Sequence, residues 1–193
     1  DRGRAQGDTP TINRAISGDI GGAYMGLQVL EREKAVYKVN PNNQPDLAQY
    51  SYCVERQLKP EARKDIIELF EELDITPNAM IDISDGLSSE IFHLCKASGV
   101  GCNIYEEKLP ADQQTISISE EFKINSTTVL LNGGEDYELL MAIKTDDYDK
   151  IKSHPFLTPI GHFTDQKEVC NMTTGLGQSI KLEAQGWKIF NQD

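Results

Sequence analysis

Basic residues are scarce in this sequence, with 19 lysines and arginines against 31 aspartates and glutamates and a net charge of −12. That balance argues against a surface for nucleic acid or anionic membrane, because both require clustered positive charge. It does not exclude phosphate ligands, since metal ions and backbone N–H groups bind phosphate without a basic field. The sequence also has no apolar run long enough to span a membrane and no signal-peptide pattern, so we expect no membrane contact.

Cysteine and histidine are also few, and neither forms a recognisable motif. The four cysteines include no CxxC pair, and no histidine lies at zinc-finger spacing from any of them. We expect buried, reduced thiols, which suit a cytoplasmic protein. The three histidines do not cluster in the sequence, so no Ser/His/Asp or Cys/His catalytic arrangement is predicted.

Apolar residues make up 38% of the chain, enough for a folded core. Periodicity predicts strands at 15–17, 79–83, 101–106 and 137–143, and a helix at 86–98. Residues 1–14 read as an irregular arm and residues 107–118 as a polar connection. Strands that alternate with helices indicate an α/β (α+β) fold, a mixed sheet with helices on at least one face. We expect a single domain over 15–193.

Two acids crowd the end of the predicted strand 79–83. Asp82 and Asp85 flank Ser84 and precede Gly86, where the helix begins. Neighbouring carboxylates repel each other unless a cation or a proton lies between them. Mg²⁺ prefers such oxygens and usually bridges them to phosphates. The alternative is that Asp85 only caps the helix while Asp82 is a solvated strand end.

Two further turns combine glycine with acids. Residues 18–22 (Gly-Asp-Ile-Gly-Gly) lead into a helix, where backbone N–H groups can approach an anion closely. Residues 133–136 (Gly-Gly-Glu-Asp) stand directly before an apolar strand. Each turn has a simpler interpretation, a tight turn whose acids are solvated, because glycine is common in turns.

Taken together, these motifs resemble the thiamine-monophosphate kinases. The resemblance is carried by residues 82–87 (Asp-Ile-Ser-Asp-Gly-Leu) and 133–140 (Gly-Gly-Glu-Asp-Tyr-Glu-Leu-Leu), in that order. The Gly-Asp-Ile-Gly turn from Gly18, the Ile160–Gly161 pair and the closing Gly-Trp-Lys-Ile-Phe at 186–190 fit the same family. The resemblance covers about residues 15–190 and implies the C-terminal part of such a protein, with the fold of the aminoimidazole-ribonucleotide-synthetase superfamily.

That resemblance implies an activity, its ligands and the residues that bind them. The activity is the phosphorylation of thiamine monophosphate to thiamine diphosphate, with ATP as co-substrate and Mg²⁺ as cofactor. Full-length relatives are expected to be homodimers. Asp82 and Asp85 would bind the metal and Ser84 would contact ATP. The residues expected to contact the thiamine substrate are Glu135, Asp136, Trp187 and Phe190.

The family's N-terminal domain, which carries the rest of the ATP and metal site, is not expected in this sequence. We therefore expect the isolated chain to have little or no kinase activity. Two alternatives remain open at this stage. One is a related ATP-dependent enzyme of the superfamily, similar to selenophosphate synthetase or to a hydrogenase-maturation protein. The other is a binding module without catalysis.

Overall fold

Seven strands form one mixed sheet in the computed structural model, which describes residues 13–42 and 44–183. The sheet order is β2-β4-β1-β5-β3-β6-β7, and every neighbouring pair is antiparallel except β3 and β6, which are parallel. The predicted mixed sheet is therefore confirmed. The strands are β1 (Asn13–Ser17), β2 (Ala79–Ile83), β3 (Gly101–Tyr105), β4 (Glu138–Ile143), β5 (Leu157–Thr164), β6 (Cys170–Thr173) and β7 (Ser179–Lys181).

Helices cover both faces of this sheet, whereas the sequence predicted helices on at least one face. Because side chains alternate along a strand, Ile16 packs on the face covered by α4 and α6, and Ala15 on the face covered by α3 and α7. Each sheet face thus carries one apolar cluster, and a third cluster is formed by side chains of α1, α2 and α5. The helices are α1 (Gly22–Val39), α2 (Ser51–Leu58), α3 (Lys64–Glu72), α4 (Leu87–Ser98), α5 (Gln113–Glu121), α6 (Ser126–Asn132) and α7 (Tyr148–Ile151).

Two elements differ from the sequence prediction. Strand β1 begins at Asn13, two residues early, because Arg14 is fully buried within the sheet although its charge suggested a loop. Helix α5 occupies Gln113–Glu121, in part of the predicted polar connection. Its side chains are mostly polar, but Asp112 caps it by accepting a hydrogen bond from the Gln114 N–H at 2.7 Å. Here the cap, rather than apolar periodicity, marks where the helix starts.

Helices α1 and α2 approach each other closely at a glycine. A β-carbon added to Gly26 would lie 2.0 Å from the backbone oxygen of Cys53. Gly26 is buried, so nothing but hydrogen fits between the two backbones at this point. No helix among the described residues is both long enough and apolar enough to cross a bilayer.

Candidate functional site

The two acid-bearing turns, 50 residues apart in sequence, lie against each other in the structure. Strands β2 and β4 pair with Ile83 opposite Glu138, which aligns the end of one with the start of the other. The Glu135 N–H donates to the Ser84 carbonyl at 2.8 Å, and the Tyr137 N–H donates to the Ile83 carbonyl at 2.9 Å. The two turns that carry the family resemblance are therefore in direct contact.

Asp82, Asp85 and Glu135 are all exposed on this surface. The residue at the N-cap of α4 is Gly86, with φ of 109°, and no side chain caps that helix. The alternative in which Asp85 serves as a helix cap is therefore not what the structure shows. The backbone N–H of Asp85 donates instead to Glu90 Oε1 at 3.1 Å, which orders the turn and leaves the Asp85 carboxylate facing solvent.

Negative charge accumulates where the two turns meet. The Tyr137 hydroxyl donates to Glu135 Oε2 at 2.9 Å. The pKa of Tyr137 is raised by this hydrogen bond, by the charge of Glu135 and, more weakly, by the charges of Asp82 and Asp85. Within residues 13–42 and 44–183, no lysine or arginine pairs with any of these three acids. A surface of this kind favours a bound cation.

The 133–137 turn has an unusual backbone. Glu135 and Tyr137 both adopt left-handed conformations, with φ of 68° and 53°. Gly134 passes so close to the first turn that a β-carbon there would lie 2.4 Å from the Ser84 carbonyl oxygen. Residues other than glycine rarely adopt positive φ, and such strain concentrates at functional sites. The conformation presents Glu135 outward and turns Asp136 inward.

Asp136 is buried, and its side chain accepts hydrogen bonds from backbone N–H groups at the start of α1. Its Oδ2 accepts from the Gly21 N–H at 2.6 Å, and its Oδ1 accepts from the Ala23 N–H at 3.2 Å. The sequence left open whether the turn at 18–22 offers backbone N–H groups to an anion. In the structure the Gly21 and Ala23 N–H groups, at the start of α1, are taken by the protein's own Asp136 side chain. Of the two acids assigned to the substrate, Glu135 is therefore the one that a ligand can reach.

This burial makes stability depend on pH. Burial raises the pKa of Asp136 from 3.8 to about 7, against the lowering effect of the Gly21 and Ala23 N–H groups and of Arg56. The folded protein then holds a proton that the unfolded chain releases. Between about pH 4 and pH 7 this group should therefore lower the free energy of unfolding as pH rises, by at most about 1.4 kcal/mol per pH unit.

Urea unfolding of the wild type and of Asp136→Asn at about pH 5 and about pH 8 measures this contribution, because asparagine does not titrate. The stability advantage of the wild type over the variant should be smaller at the higher pH. An equal advantage at both pH values would contradict the assignment.

Beneath the surface formed by the two turns lies an ion-pair network that the sequence did not indicate. Glu138 is 2% exposed, and its Oε1 accepts from Arg56 Nη1 at 3.0 Å. Its Oε2 accepts from the Ser17 hydroxyl at 2.5 Å and from Arg63 Nη1. Arg56 also donates to the carbonyls of Asp19 and Asp136, at 3.0 and 3.3 Å. The network ties β1, β4 and α2 together next to the second turn, which Glu138 directly follows.

Three other predicted site residues are Ser84, Trp187 and Phe190. Ser84 is half-buried between Asp82 and Asp85, and its carbonyl holds the second turn. Trp187 and Phe190 lie outside the described residues. A separate cavity of about 350 Å³ is lined by Tyr52, Glu55, Arg56, Lys59 and Glu61, and Asp82, Asp85 and Glu135 are not among its lining residues.

Comparison with known proteins identifies relatives along almost the whole chain. Thiamine-monophosphate kinase of Aquifex aeolicus (strain VF5) is 33% identical over 178 residues, which cover 91% of this chain and 50% of that protein. The enzyme of the same name from Escherichia coli (strain K12) is 31% identical over 183 residues, covering 91% and 51%. The chain thus spans about half the length of the curated relatives it matches. A scan against protein-family models finds no match.

Solved structures agree with the sequence comparison. A structure of AaThiL complexed with AMPPCP and TMP superposes with a TM-score of 0.75 at 28% identity, covering 95% of this chain and 53% of that one. The hydrogenase maturation protein HypE in complex with ATP superposes with a TM-score of 0.68 at 14% identity, which shows a shared fold. By sequence and by fold, the chain is similar to the thiamine-monophosphate kinases, of whose length it spans about half.

Proposed function

We propose that this chain is the C-terminal part of an enzyme that transfers a phosphoryl group from ATP to thiamine monophosphate, giving thiamine diphosphate. One observation carries the proposal: the Asp82–Asp85 turn and the Gly133–Tyr137 turn, which hold the family's motifs, form a single acidic surface. The names of the relatives and the ATP analogue AMPPCP bound to AaThiL support it.

Asp82 and Asp85 would hold Mg²⁺ at this surface. Their exposed carboxylates suit a hard cation, and Mg²⁺ commonly takes one or two protein carboxylates, with waters and substrate phosphates completing its shell. When bound, the ion would neutralise charge on the phosphates. The hydrogen bond from the Asp85 N–H to Glu90 orders the turn in advance, so little rearrangement would accompany binding.

Ser84 and Glu135 would position the two substrates. Ser84, between the metal ligands, would donate its hydroxyl to a phosphate oxygen of ATP. Glu135, aligned by the Tyr137 hydroxyl, would accept a hydrogen bond from the amino group on the pyrimidine of thiamine. Trp187, or Phe190, would lie against the cationic thiazolium ring, a favourable partner for an aromatic face.

The proposed reaction needs no general base from this chain. The bond between the γ-phosphorus of ATP and its bridging oxygen breaks, and a new bond forms to a phosphate oxygen of thiamine monophosphate. That acceptor oxygen is already anionic, so no proton has to be removed. Catalysis of this kind depends on positioning and charge neutralisation, which match an acidic surface able to bind a metal ion.

An N-terminal domain would complete the ATP and metal site and form a homodimer in the cytoplasm. The 193-residue chain mixed with ATP, Mg²⁺ and thiamine monophosphate should therefore give no thiamine diphosphate. Binding of the thiamine substrate, by contrast, should survive in the isolated chain, because Glu135 belongs to it.

A thermal-shift titration tests this substrate binding. Thiamine monophosphate should raise the melting temperature of the chain, and Glu135→Gln should weaken the binding about tenfold or more, as expected for a lost hydrogen bond to a charged group. Glu72→Gln, at an exposed position on α3, is the matched control and should bind as the wild type does. An equal or larger response to unrelated phosphorylated metabolites would instead favour another enzyme of the superfamily.

A further inference from the structure

Three of the four cysteines converge in the core. Cys102 and Cys170 are direct partners on the parallel strands β3 and β6, and Cys95 lies on α4, which packs over them. Their three Sγ atoms lie within 4.8 Å of one another, and all three residues are buried. Because they come from positions 95, 102 and 170, no short sequence motif predicts the cluster.

A buried arginine supplies the charge that distinguishes this cluster from ordinary buried thiols. Arg14 is 0% exposed, and its Nη2 donates to Cys95 Sγ at 2.7 Å. Its guanidinium also stacks on the Phe163 ring, 4.1 Å from the ring centre. Within the part of the chain that the structure describes, its Nε and Nη1 have no hydrogen-bond partner and no carboxylate forms an ion pair with it.

A guanidinium removed from water requires an anion. The hydrogen bond from the Arg14 guanidinium would favour the thiolate form of Cys95, because a charged donor pairs best with an anionic acceptor. The core therefore holds a buried cation in contact with one sulfur, beside two more sulfurs at nearly the right separation to share an ion.

We propose that Cys95, Cys102 and Cys170 form a binding site for one thiophilic divalent cation, of the chemistry of Zn²⁺ or Cd²⁺. Three sulfurs around such an ion at about 2.3 Å would be about 4 Å apart, so adjustments of less than about 1 Å complete the site. Soft thiolates select such ions over Mg²⁺. Arg14 would remain hydrogen-bonded to a coordinating sulfur, as outer partners of metal ligands commonly are.

Charge balance favours a divalent over a monovalent ion. Three thiolates, one divalent ion and one guanidinium sum to zero, the same total as the Cys95 thiolate with Arg14 alone. A monovalent ion would leave a net negative charge buried, which is costly. The thiol protons of Cys102 and Cys170 would be released to solvent as the ion binds.

The cluster is separate from the acidic surface of the proposed kinase site. Cys95 lies eight residues beyond Leu87 on α4, about 12 Å along the helix from the Asp85 turn. The ion would link α4 to β3 and β6, so its expected contribution is to stability. The cysteine site could therefore bind an ion whether or not the chain has the proposed function.

Titration of the reduced 193-residue chain with Cd²⁺ tests the site, with ultraviolet thiolate-to-cadmium absorption as the readout. We expect one Cd²⁺ per chain and a higher melting temperature in its presence. Each of Cys95→Ala, Cys102→Ala and Cys170→Ala should weaken binding at least tenfold, since losing even an outer partner of a metal ligand costs about 10- to 100-fold. Cys53→Ala, which removes the fourth buried cysteine, is the matched control and should leave binding unchanged.

Cd²⁺ absorption of the unaltered chain tests the site even if a variant does not fold. No absorption, or absorption that appears only in denaturant, would overturn it. So would a weakening by Cys53→Ala as large as that of the other three variants. A count of fewer than four free thiols in denaturant with a chelator, for protein purified without reductant, would point to a disulfide in place of a metal site.

Discussion

Replacing Glu138 with glutamine is expected to lower the free energy of unfolding by about 3–5 kcal/mol. The substitution keeps the shape of the side chain but removes the negative charge shared by Arg56 and Arg63. Those two arginines would then face each other across a neutral amide, and the Ser17 hydroxyl would lose a charged acceptor. Denaturant unfolding of the purified variant measures the loss.

The matched control is Glu121→Gln. Glu121 also bonds to an arginine, with Arg32 Nη1 at 2.6 Å, but its side chain is 46% exposed. Exposed pairs contribute about 0–1 kcal/mol, so this variant should be nearly as stable as the wild type. If the two substitutions lowered the free energy of unfolding equally, burial of the Glu138 network would not be what stabilises β1, β4 and α2.

Gly26→Ala is expected to destabilise the chain by about 1–3 kcal/mol or more, although alanine is the better helix former. The added methyl group would overlap the carbonyl oxygen of Cys53, a backbone atom that cannot rotate aside. Helices α1 and α2 would have to separate, which would open the apolar cluster around Met25 and Val29. Thermal unfolding monitored by circular dichroism gives the size of the effect.

Gly22→Ala, one turn earlier in the same helix, is the control. A β-carbon at Gly22 would meet its nearest neighbours at 3.4 to 3.5 Å, ordinary contact distances. That substitution should be neutral or slightly stabilising. A Gly26→Ala protein as stable as Gly22→Ala would mean that the two helices have room to move apart.

Much of the fold could be predicted because its local patterns agree with the tertiary structure. Strand β2, helix α4 and strand β4 have apolar periodicity and glycine boundaries, and their bounds agree with prediction to within a residue. Helix α5 and the start of β1 were missed since polar side chains predominate there. In those segments a cap and the burial of Arg14 outweigh the local pattern.

The proposed metal ligands and Glu135 could be predicted from the sequence because they lie in two short segments that combine acids with glycine, one at the end of β2 and one directly before β4. That pattern gives the type of residue and the turn, and it also carries the family resemblance. It could not tell whether Asp85 caps its helix, nor which of Glu135 and Asp136 faces outward. The first depends on Gly86 at the N-cap of α4 and on the hydrogen bond from the Asp85 N–H to Glu90. The second depends on the left-handed backbone of the second turn and on its hydrogen bonds to Ser84 and Ile83.

The sequence by itself determined the class of fold, the two acid-bearing turns and the family resemblance, because all three depend on short contiguous patterns. Only the tertiary structure decided that the two turns form one surface, that Asp136 and Glu138 are buried supports, and that three cysteines meet beside Arg14. The physical reason is that burial, ion pairing and coordination depend on distances between residues far apart in the chain. Those distances are set by the order of the strands in the sheet and by the packing of the helices on it, which no short contiguous pattern specifies.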